Sequence, residues 1–301
     1  EVFRREINQI ASKIGGAILP LCIQKKPGCS DAANLFRLAA YLLNSDVEII
    51  HGHGAKGGCY ARVLAAVFGL KAVYTPHGGS VHQVFSRLDG VLYTFIEWLL
   101  SYWTDFYLFE SYYTAAAMLA KIRRPLKKWA VNYNGVPDPS LTDCTVNVSA
   151  ADGVRLGVFG MLRHEKGQKY AVQTAYYLKQ QGIKVSLHIF GDGPDREVLS
   201  QTVKKLNLQD HVFFYGDVAE VEAYMSAMDI ILIPSLYESF GYAAVEAMSL
   251  GKPIVATKVG GLCEVIVDQK TGVLVPPADA QAMANAVLDY INNPIRTAEF
   301  I

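Results

Sequence analysis

Short apolar runs alternate with helical patterns along almost the whole chain, and this alternation restricts the fold more than any other feature. The runs are rich in β-branched and aromatic residues, as is typical of strands. In the first half they are VEIIHGHG, KAVYTPHGG, DFYLFES and WAVNYNGV. In the second half they are VRLGVFG, VSLHIFGDG, HVFFYGD, DIILIPS, PIVAT and TGVLVPP. Because helical patterns separate most of the runs, the sequence predicts an α/β fold with parallel, doubly wound sheets.

The series of strands is interrupted once, which predicts two domains. Residues 138–152 are rich in Pro, Asp, Ser and Thr, as is typical of a linker. A chain of 301 residues is also longer than one hydrophobic core usually holds. We therefore expect a partial Rossmann-like domain over residues 1–137 and a second Rossmann-like domain over residues 153–301, facing each other across a crevice.

Charge and cysteine content exclude several classes of protein. Lysine and arginine together number 28, as do aspartate and glutamate, so no net field favours nucleic acid as a partner. The five cysteines are scattered without a C-x-x-C pair, which argues against a zinc site or a disulfide framework. A reducing compartment fits this usage, and we expect the protein to be cytoplasmic.

A helical pattern near residues 91–103 leaves two interpretations open. Apolar side chains recur there at helical spacing, namely Leu92, Phe95, Ile96, Leu99 and Trp103. The favoured interpretation is a helix whose apolar face packs on a sheet. The alternative is a helix that lies on the inner face of a membrane, helped by the basic run KIRRPLKK that follows. The second interpretation would make the protein a peripheral membrane protein.

Two glutamates in the stretch IPSLYESFGYAAVEAMSLG suggest a site for an extended ligand. If a helix begins near Ser239 as its N-cap, helical rise places Glu238 and Glu246 roughly 12 Å apart. Paired catalytic carboxylates of glycosidases lie closer, at about 5–9.5 Å. The spacing fits better if each glutamate binds a separate hydroxyl-bearing group at one end of an extended ligand. Considered one at a time, each glutamate also has a simpler explanation: Glu246 could face water, and Glu238 could be an acid of the first helical turn.

The centre of such a ligand would be an anion. The amides of Phe240, Gly241 and Tyr242 would point out of the helix start, where the dipole favours phosphate. The loop FGMLRHEKG adds Arg163 and Lys166, which could both reach a diphosphate. Together these residues predict a nucleotide sugar laid along the start of one helix.

Three histidines follow strands of the first half. His77 lies in TPHGG, and His51 and His53 lie in HGHG. A neutral imidazole can donate to a sugar hydroxyl or shield a developing charge. Residues two apart in a strand point to opposite faces, so His51 and His53 are poorly placed to share a metal ion. The FGDGP loop does not match G-x-G-x-x-G, so nothing supports a nicotinamide site.

The chain resembles the retaining glycosyltransferases of family 4, which have the GT-B architecture. The most specific part of the resemblance is the E-x7-E pattern ESFGYAAVE followed by AMSLGKPIVATKVGG. The segments EKG, GDGP, PSLYESFG, TGVLVPP and YNGV are also similar to the family. The match extends over nearly the whole chain, although the family's opening strand and closing helices have no counterpart in it.

The resemblance implies a role for each candidate residue. Glu246 would bind the ribose hydroxyls of a UDP or GDP sugar, and Glu238 would contact hydroxyls of the donor sugar. The amides of residues 240–242 would bind sugar and phosphate, Lys166 would hold the diphosphate, and His77 would lie beside the anomeric carbon. Transfer would retain the anomeric configuration, with no metal and no cofactor beyond the donor. The usual Gly-Arg-Leu of the family reads Gly-Met-Leu here, so we expect Arg163 to take the phosphate role.

We therefore expect a hexosyltransferase that acts on a glycan or lipid-linked acceptor in cell-envelope or exopolysaccharide synthesis. Two rival functions stay open. A nucleotide-sugar epimerase would use a similar architecture without an acceptor. A non-catalytic, glycosyltransferase-like binding subunit would fit the displaced arginine.

Overall fold

A computed structural model of the chain describes residues 7–24 apart from 9 and 14, residues 27–78 and 87–138, residues 146 and 148, and residues 153–294. Most of the predicted linker, residues 138–152, lies outside the described residues, so the domain boundaries remain a prediction.

The first half forms a four-stranded parallel sheet in the order β1-β2-β3-β4. Its strands are β1 (Ile49–His53), β2 (Lys71–Thr75), β3 (Phe106–Phe109) and β4 (Trp129–Val131). Its helices are α1 (Cys29–Leu42), α2 (Gly54–Phe68), α3 (Arg87–Leu100) and α4 (Tyr112–Ile122), and a 3-10 turn (Ser101–Trp103) extends α3. Each strand pairs in register with the next, for example from Ile49–Lys71 to His53–Thr75 between β1 and β2.

The second half forms a six-stranded parallel sheet in the order β10-β9-β8-β5-β6-β7. Its strands are β5 (Val154–Phe159), β6 (Val185–Phe190), β7 (Val212–Gly216), β8 (Ile230–Ile233), β9 (Ile254–Thr257) and β10 (Val273–Val275). Its helices are α5 (Gln168–Gln180), α6 (Arg196–Lys205), α7 (Val221–Ser226), α8 (Tyr242–Ser249), α9 (Leu262–Val265) and α10 (Ala280–Asn292).

Helices cover both faces of the second sheet, as in a doubly wound fold. One face packs against α5, α6 and α10 through buried residues such as Val172 and Val287. The other face packs against α7, α8 and α9 through residues such as Met225 and Ala247. The strand order reverses between β5 and β8, because β6 and β7 are added on one side of β5 and β8, β9 and β10 are added on the other. In open α/β sheets, ligands bind outside the carboxyl ends of the strands at this switch point.

The predicted α/β class with two parallel sheets is confirmed, and all ten predicted runs contain a strand. The favoured interpretation of residues 91–103 is wrong. Leu92, Phe95, Leu99 and Trp103 are exposed, and only Ile96 of the predicted face is partly buried. The helix instead turns Glu97 inward, because that carboxylate pairs with a buried arginine of α2. No helix among the described residues is both long enough and apolar enough to span a bilayer.

Candidate functional site

Two of the predicted site residues form an ion pair at the switch point of the second sheet. Lys166 follows β5, Glu238 follows β8, and the Lys166 Nζ lies 2.7 Å from the Glu238 Oε2. The Ser235 hydroxyl also donates to the Glu238 Oε2, at 3.3 Å. Both members of the ion pair are largely but not fully buried. Sequence reasoning placed them on different parts of a ligand and did not predict this pair.

The loops after β5 and β8 can approach closely because the residue of the first loop at the contact is a glycine. Gly167 has φ +64°, and a Cβ at this position would lie 2.1 Å from the carbonyl oxygen of Pro234. The amide of Leu236 donates to the carbonyl of Glu165 at 2.8 Å. The glycine after Lys166 therefore fixes the contact that brings the lysine to the carboxylate.

The helix that carries the second glutamate begins later than predicted. α8 starts at Tyr242 with Gly241 as its N-cap, so the predicted N-cap at Ser239 is wrong. Gly241 has φ +106°, a conformation that lets the chain turn sharply into the helix. Because residues 238–240 precede the helix, helical rise does not set the separation of Glu238 and Glu246.

The start of α8 still offers the predicted amides. The amides of Phe240, Gly241 and Tyr242 donate to no carbonyl in the described part of the chain. The Phe240 side chain is buried and packs beside the ring of Tyr133, at 6.2 Å between ring centroids. The buried ring anchors this turn, while unsatisfied donors and the helix dipole make it favourable for an anion.

Glu246 lies on α8 beside a cavity of about 260 Å³. The other residues that line this cavity are Ala219, Glu220, Val221, Glu222, Ala223 and Met225. The Glu246 carboxylate has no hydrogen bond or ion pair among the described residues. Burial, and secondarily the charge of Glu222, raise the pKa of Glu246. A partly buried, unpaired carboxylate of this kind can accept hydrogen bonds from ligand hydroxyls.

A second cavity, of about 390 Å³, follows the carboxyl ends of β5, β6 and β7. It is lined by Gly160, Met161, Phe190, Gly191, Asp192, Gly193, Asp217 and Val218. Met161 occupies the place where the family resemblance leads one to expect arginine. The Arg163 side chain is half-exposed, and its Nε lies 4.0 Å from the Glu165 Oε2. Its proposed reach to a phosphate therefore remains a prediction.

His77 lies on the opposite side of the crevice, where a buried glutamate orients it. The His77 Nδ1 is 3.0 Å from the Oε2 of Glu110, which follows β3. The Asn134 amide donates to the same oxygen at 3.1 Å. The hydrogen bond with Glu110 raises the pKa of His77, against the opposing effect of burial. Sequence reasoning missed Glu110, although its place at the carboxyl end of a strand could have indicated it.

The other two histidines of the first domain adjoin His77. The His53 Nδ1 lies 3.0 Å from the His77 Nε2, and the His51 Nε2 lies 2.8 Å from the Thr75 hydroxyl. Burial lowers the pKa of both; the charge of His77 adds to the effect at His51, and the charges of His51 and then His77 add to it at His53. Among the described residues, no three His, Cys, Asp or Glu side chains are placed to hold a metal ion.

The two domains contact each other beside this site. The Ser111 hydroxyl donates to the Ser239 carbonyl at 2.6 Å. The Glu264 carboxylate accepts from the amides of Tyr112 and Tyr113 at 2.8 and 2.6 Å, and from the Tyr133 hydroxyl at 3.1 Å. A carboxylate of the second domain thus caps the start of α4 in the first. Nothing in the sequence pattern indicated this contact.

Two family models together match most of the chain. The model described as "Glycosyl transferases group 1" matches residues 147–301, which is just over half of the chain. The model described as "Glycosyltransferase Family 4" matches residues 9–138. The boundary between the two matches falls in the predicted linker.

The relatives that the chain resembles include two named glycosyltransferases and one uncharacterised protein. The 2-deoxystreptamine glucosyltransferase of Streptomyces kanamyceticus is 35% identical over 47% of this chain and 37% of its own. The phosphatidylinositol N-acetylglucosaminyltransferase gpi3 subunit of Schizosaccharomyces pombe is 29% identical over 86% of this chain and 57% of its own. An uncharacterised 41.2 kDa protein in the cps region of Klebsiella pneumoniae is 31% identical over 77% of this chain and 66% of its own. The chain thus matches between about one third and two thirds of the length of these relatives.

Solved structures with the same fold include Anabaena HepE in complex with UDP and glucose. It superposes with a TM-score of 0.81 at 21% identity, covering 97% of this chain and 81% of HepE. The sucrose-phosphate synthase of Thermosynechococcus elongatus gives a TM-score of 0.77 at 25% identity, covering 90% of this chain and 71% of the synthase. The GT-B architecture expected from the resemblance is confirmed by these neighbours.

Proposed function

This chain belongs to the group 1 glycosyl transferases, and we propose that it transfers a sugar from a nucleoside-diphosphate sugar to a glycan or lipid-linked acceptor. The main support for a nucleoside-diphosphate sugar as donor is the Lys166–Glu238 ion pair at the switch point. It lies next to the unsatisfied amides at the start of α8. A cation and amide donors at one place suit a diphosphate.

The donor would lie across the switch point with the diphosphate at its centre. The Lys166 ammonium would turn from Glu238 to the diphosphate when the donor binds. The freed Glu238 carboxylate would then accept from hydroxyls of the sugar. The ion pair thus holds both side chains in place until the ligand replaces each partner.

The nucleoside would lie towards Glu246. Its carboxylate has no partner among the described residues and borders a cavity, so ribose hydroxyls can satisfy it. Arg163 would add a second cation to the phosphates. The structures of Anabaena HepE contain UDP or UDP-glucose, which favours a UDP sugar as the first donor to test.

Catalysis would rest on stabilising the departing diphosphate. Lys166 and the dipole of α8 would neutralise charge as it develops on that leaving group, which is the type of interaction that accelerates group transfer most. His77, held by Glu110, would face the reacting sugar from the other domain. We propose that transfer retains the anomeric configuration and needs no metal.

The acceptor half is supported by the relatives. One of them is encoded in a cps region and another is a subunit that acts on phosphatidylinositol. A cell-envelope or exported polysaccharide is therefore the acceptor class that we propose, with synthesis on the cytoplasmic side. Peripheral attachment to the membrane would bring the enzyme to a lipid-linked acceptor.

The test is turnover of UDP-glucose and other sugar nucleotides, measured as nucleotide release and as product mass with a cell lipid extract. Lys166→Ala removes the cation that stabilises the leaving group, so kcat should fall by about 100-fold or more. Glu246→Gln keeps the shape but weakens the acceptor of the ribose hydroxyls. It should raise KM with little effect on kcat, because ribose contacts are the same in ground and transition states.

Two substitutions outside the site are matched controls. Lys169→Ala removes an exposed lysine of α5 three residues after Lys166, and Glu197→Gln alters an exposed glutamate of α6. Both should retain full turnover. Interconversion of free sugar nucleotides without an acceptor would identify an epimerase instead. Calorimetry that detects no nucleotide binding would identify a non-catalytic subunit.

A further inference from the structure

One helix of the first domain carries its apolar residues on the outside. On α3 and the 3-10 turn that extends it, seven large apolar side chains are exposed along one stripe: Val91, Leu92, Phe95, Trp98, Leu99, Tyr102 and Trp103. Phe95 is 56% exposed and Trp103 is 42% exposed. The ring of Trp98 contacts those of Phe95 and Tyr102, at 5.8 and 5.2 Å between centroids, so the stripe is continuous. A contiguous patch of this kind on a soluble domain marks a surface for interaction.

The opposite side of α3 fixes the helix in this orientation. Glu97 is buried and accepts from the fully buried Arg62, at 2.8 Å, and from the Tyr74 hydroxyl, at 3.2 Å. The Arg62 guanidinium also lies 3.9 Å from the centre of the Tyr74 ring. Rotating the apolar stripe inward would expose Glu97 and leave a buried arginine without its partner, which is strongly unfavourable. The buried Arg62–Glu97 pair therefore keeps the apolar stripe on the outside of the domain.

A basic edge borders the stripe. The Arg124 guanidinium lies 3.9 Å from the Tyr102 ring centroid and donates to the Ser101 hydroxyl at 3.1 Å. The Lys127 ammonium donates to the Tyr102 carbonyl at 3.0 Å, and Lys128 next to it is exposed. Within the stripe, over residues 91–103, the one acid is the buried Glu97; Asp89 precedes the stripe in the sequence, and Asp105 follows it with its carboxylate 3.7 Å from the Lys71 ammonium. Exposed cations thus adjoin the patch, and no exposed carboxylate within it opposes them.

We propose that this stripe and its basic edge form a docking surface for a lipid bilayer with anionic headgroups. Apolar and aromatic side chains would enter the interface, where tryptophan and tyrosine are favoured. The lysines and arginine would contact the headgroups beside them. The basic edge favours this occupant over a second copy of the chain, because anionic headgroups complement its charge while the stripe itself offers no exposed carboxylate to pair with it.

The position of α3 relates this surface to the crevice. The helix follows β2, which leads to His77, and precedes β3, which leads to Glu110. A helix that connects parallel strands begins near the carboxyl end of the first strand and runs back along the sheet. The first turns of α3 therefore lie at the level of the crevice, and a lipid-linked molecule in a docked membrane could reach it. The docking surface itself does not depend on the proposed function.

The experiment is flotation of the purified chain with vesicles of phosphatidylcholine alone and of phosphatidylcholine with an equal amount of phosphatidylglycerol. We expect clear binding to the anionic vesicles and weak binding to the neutral ones. Leu92→Ser combined with Phe95→Ser should weaken binding about tenfold or more, because two apolar side chains no longer enter the interface. Lys127→Gln combined with Lys128→Gln should weaken it about 25-fold at low ionic strength, since each cation near an anionic surface contributes about fivefold.

Matched pairs elsewhere serve as controls. Phe36→Ser with Val67→Ser removes two even more exposed apolar side chains, from α1 and α2 of the same domain. Lys204→Gln with Lys205→Gln removes an adjacent exposed lysine pair from α6. Both control pairs should bind as the wild type does, and circular dichroism should show that all variants fold.

Three outcomes would overturn the proposal. One is the absence of binding to anionic vesicles, and another is an equal loss in the control pairs. The third is a dimer in sedimentation equilibrium that forms without lipid and is lost with Leu92→Ser and Phe95→Ser, because it identifies a second copy as the occupant.

Discussion

Individual side chains in the crevice owe their charge states to particular neighbours. Glu110 is buried beside His77 and accepts a hydrogen bond from its Nδ1. The other ring nitrogen of His77 faces the Nδ1 of His53. When His77 is protonated, its Nε2–H donates to His53, which must then be neutral. The lowered pKa of His53 agrees with that arrangement.

The His77–Glu110 pair predicts a pH dependence. The hydrogen bond to Glu110 raises the pKa of His77 above its ordinary value of 6.5, so protonated His77 stabilises the fold. This contribution is fully present below pH 6.5 and is lost as the pH rises through the raised pKa. In Glu110→Gln the carboxylate is replaced by an amide while burial remains. The pKa of His77 should then fall to 6.5 or below, as measured by NMR titration of the ring protons.

A histidine of the other domain provides the control for this titration. Burial lowers the pKa of His188 to about 4, and Glu110→Gln should leave that value unchanged. If the pKa of His77 were the same in the wild type and the variant, Glu110 would not be the group that holds its proton.

Sequence alone singled out individual residues of the candidate site but not the contacts between them. Glu246 could be singled out because a carboxylate in an apolar helix is costly unless a ligand or partner satisfies it. The pairing of Lys166 with Glu238 could not, because it depends on strand order, and β5 and β8 are neighbours only after the sheet reverses. Glu110 was missed because its partner His77 comes from a different strand.

Among the elements, α8 is the one whose start decides the site. Its N-cap Gly241 combines a left-handed backbone with close packing, since a Cβ there would lie 2.6 Å from the Leu262 Cδ2. Ser239, two residues before Gly241, has the side chain of a helix cap, but its carbonyl accepts a hydrogen bond from Ser111 of the other domain and the helix begins later. Strand positions were predictable because buried parallel strands read as short apolar runs.

Gly241→Ala should destabilise the protein and weaken donor binding. A left-handed non-glycine residue alone costs on the order of 1–3 kcal/mol. Leu262 must also move away from the new Cβ, which is costly because its side chain is fully buried. Gly182→Ala is the matched control. Gly182 also has a positive φ, +76°, but a Cβ there would have no atom within 4 Å. Urea unfolding should give a larger loss of stability for Gly241→Ala than for Gly182→Ala, and equal losses would show that the contact with Leu262 is unimportant.

The orientation of α3 shows why an apolar pattern does not reveal which side of a helix is buried. The spacing of Leu92, Phe95 and Leu99 correctly predicted one apolar face. The same helix also carries Glu97, whose partner Arg62 lies 35 residues earlier on α2. That partnership decides the orientation, and it is invisible without the tertiary structure.

At the scale of the whole molecule, the crevice depends on the contact between the domains. Glu264 belongs to α9 of the second domain, yet it accepts from the first two amides of α4 in the first domain. It therefore satisfies a helix start that would otherwise be open to water, and its charge opposes the positive end of the helix dipole. The Ser111–Ser239 hydrogen bond lies beside it and links the same two regions. Together these contacts hold His77 and the loops after β5 and β8 on facing sides of one cleft.

Glu264→Ala should loosen the two domains without unfolding either one. Losing a carboxylate at a helix start costs roughly 1–2 kcal/mol, and here that loss falls on the contact between domains. Calorimetry should therefore resolve two unfolding transitions, or broaden a single one, and small-angle scattering should report a larger radius of gyration. Glu197→Ala, which removes an exposed glutamate of α6 bonded to Gln201, is the control and should leave both measurements unchanged. A Glu264→Ala protein with the calorimetric trace and radius of the wild type would mean that other contacts set the domain arrangement. The Tyr133 ring beside Phe240 and the Ser111–Ser239 hydrogen bond would then be the first candidates.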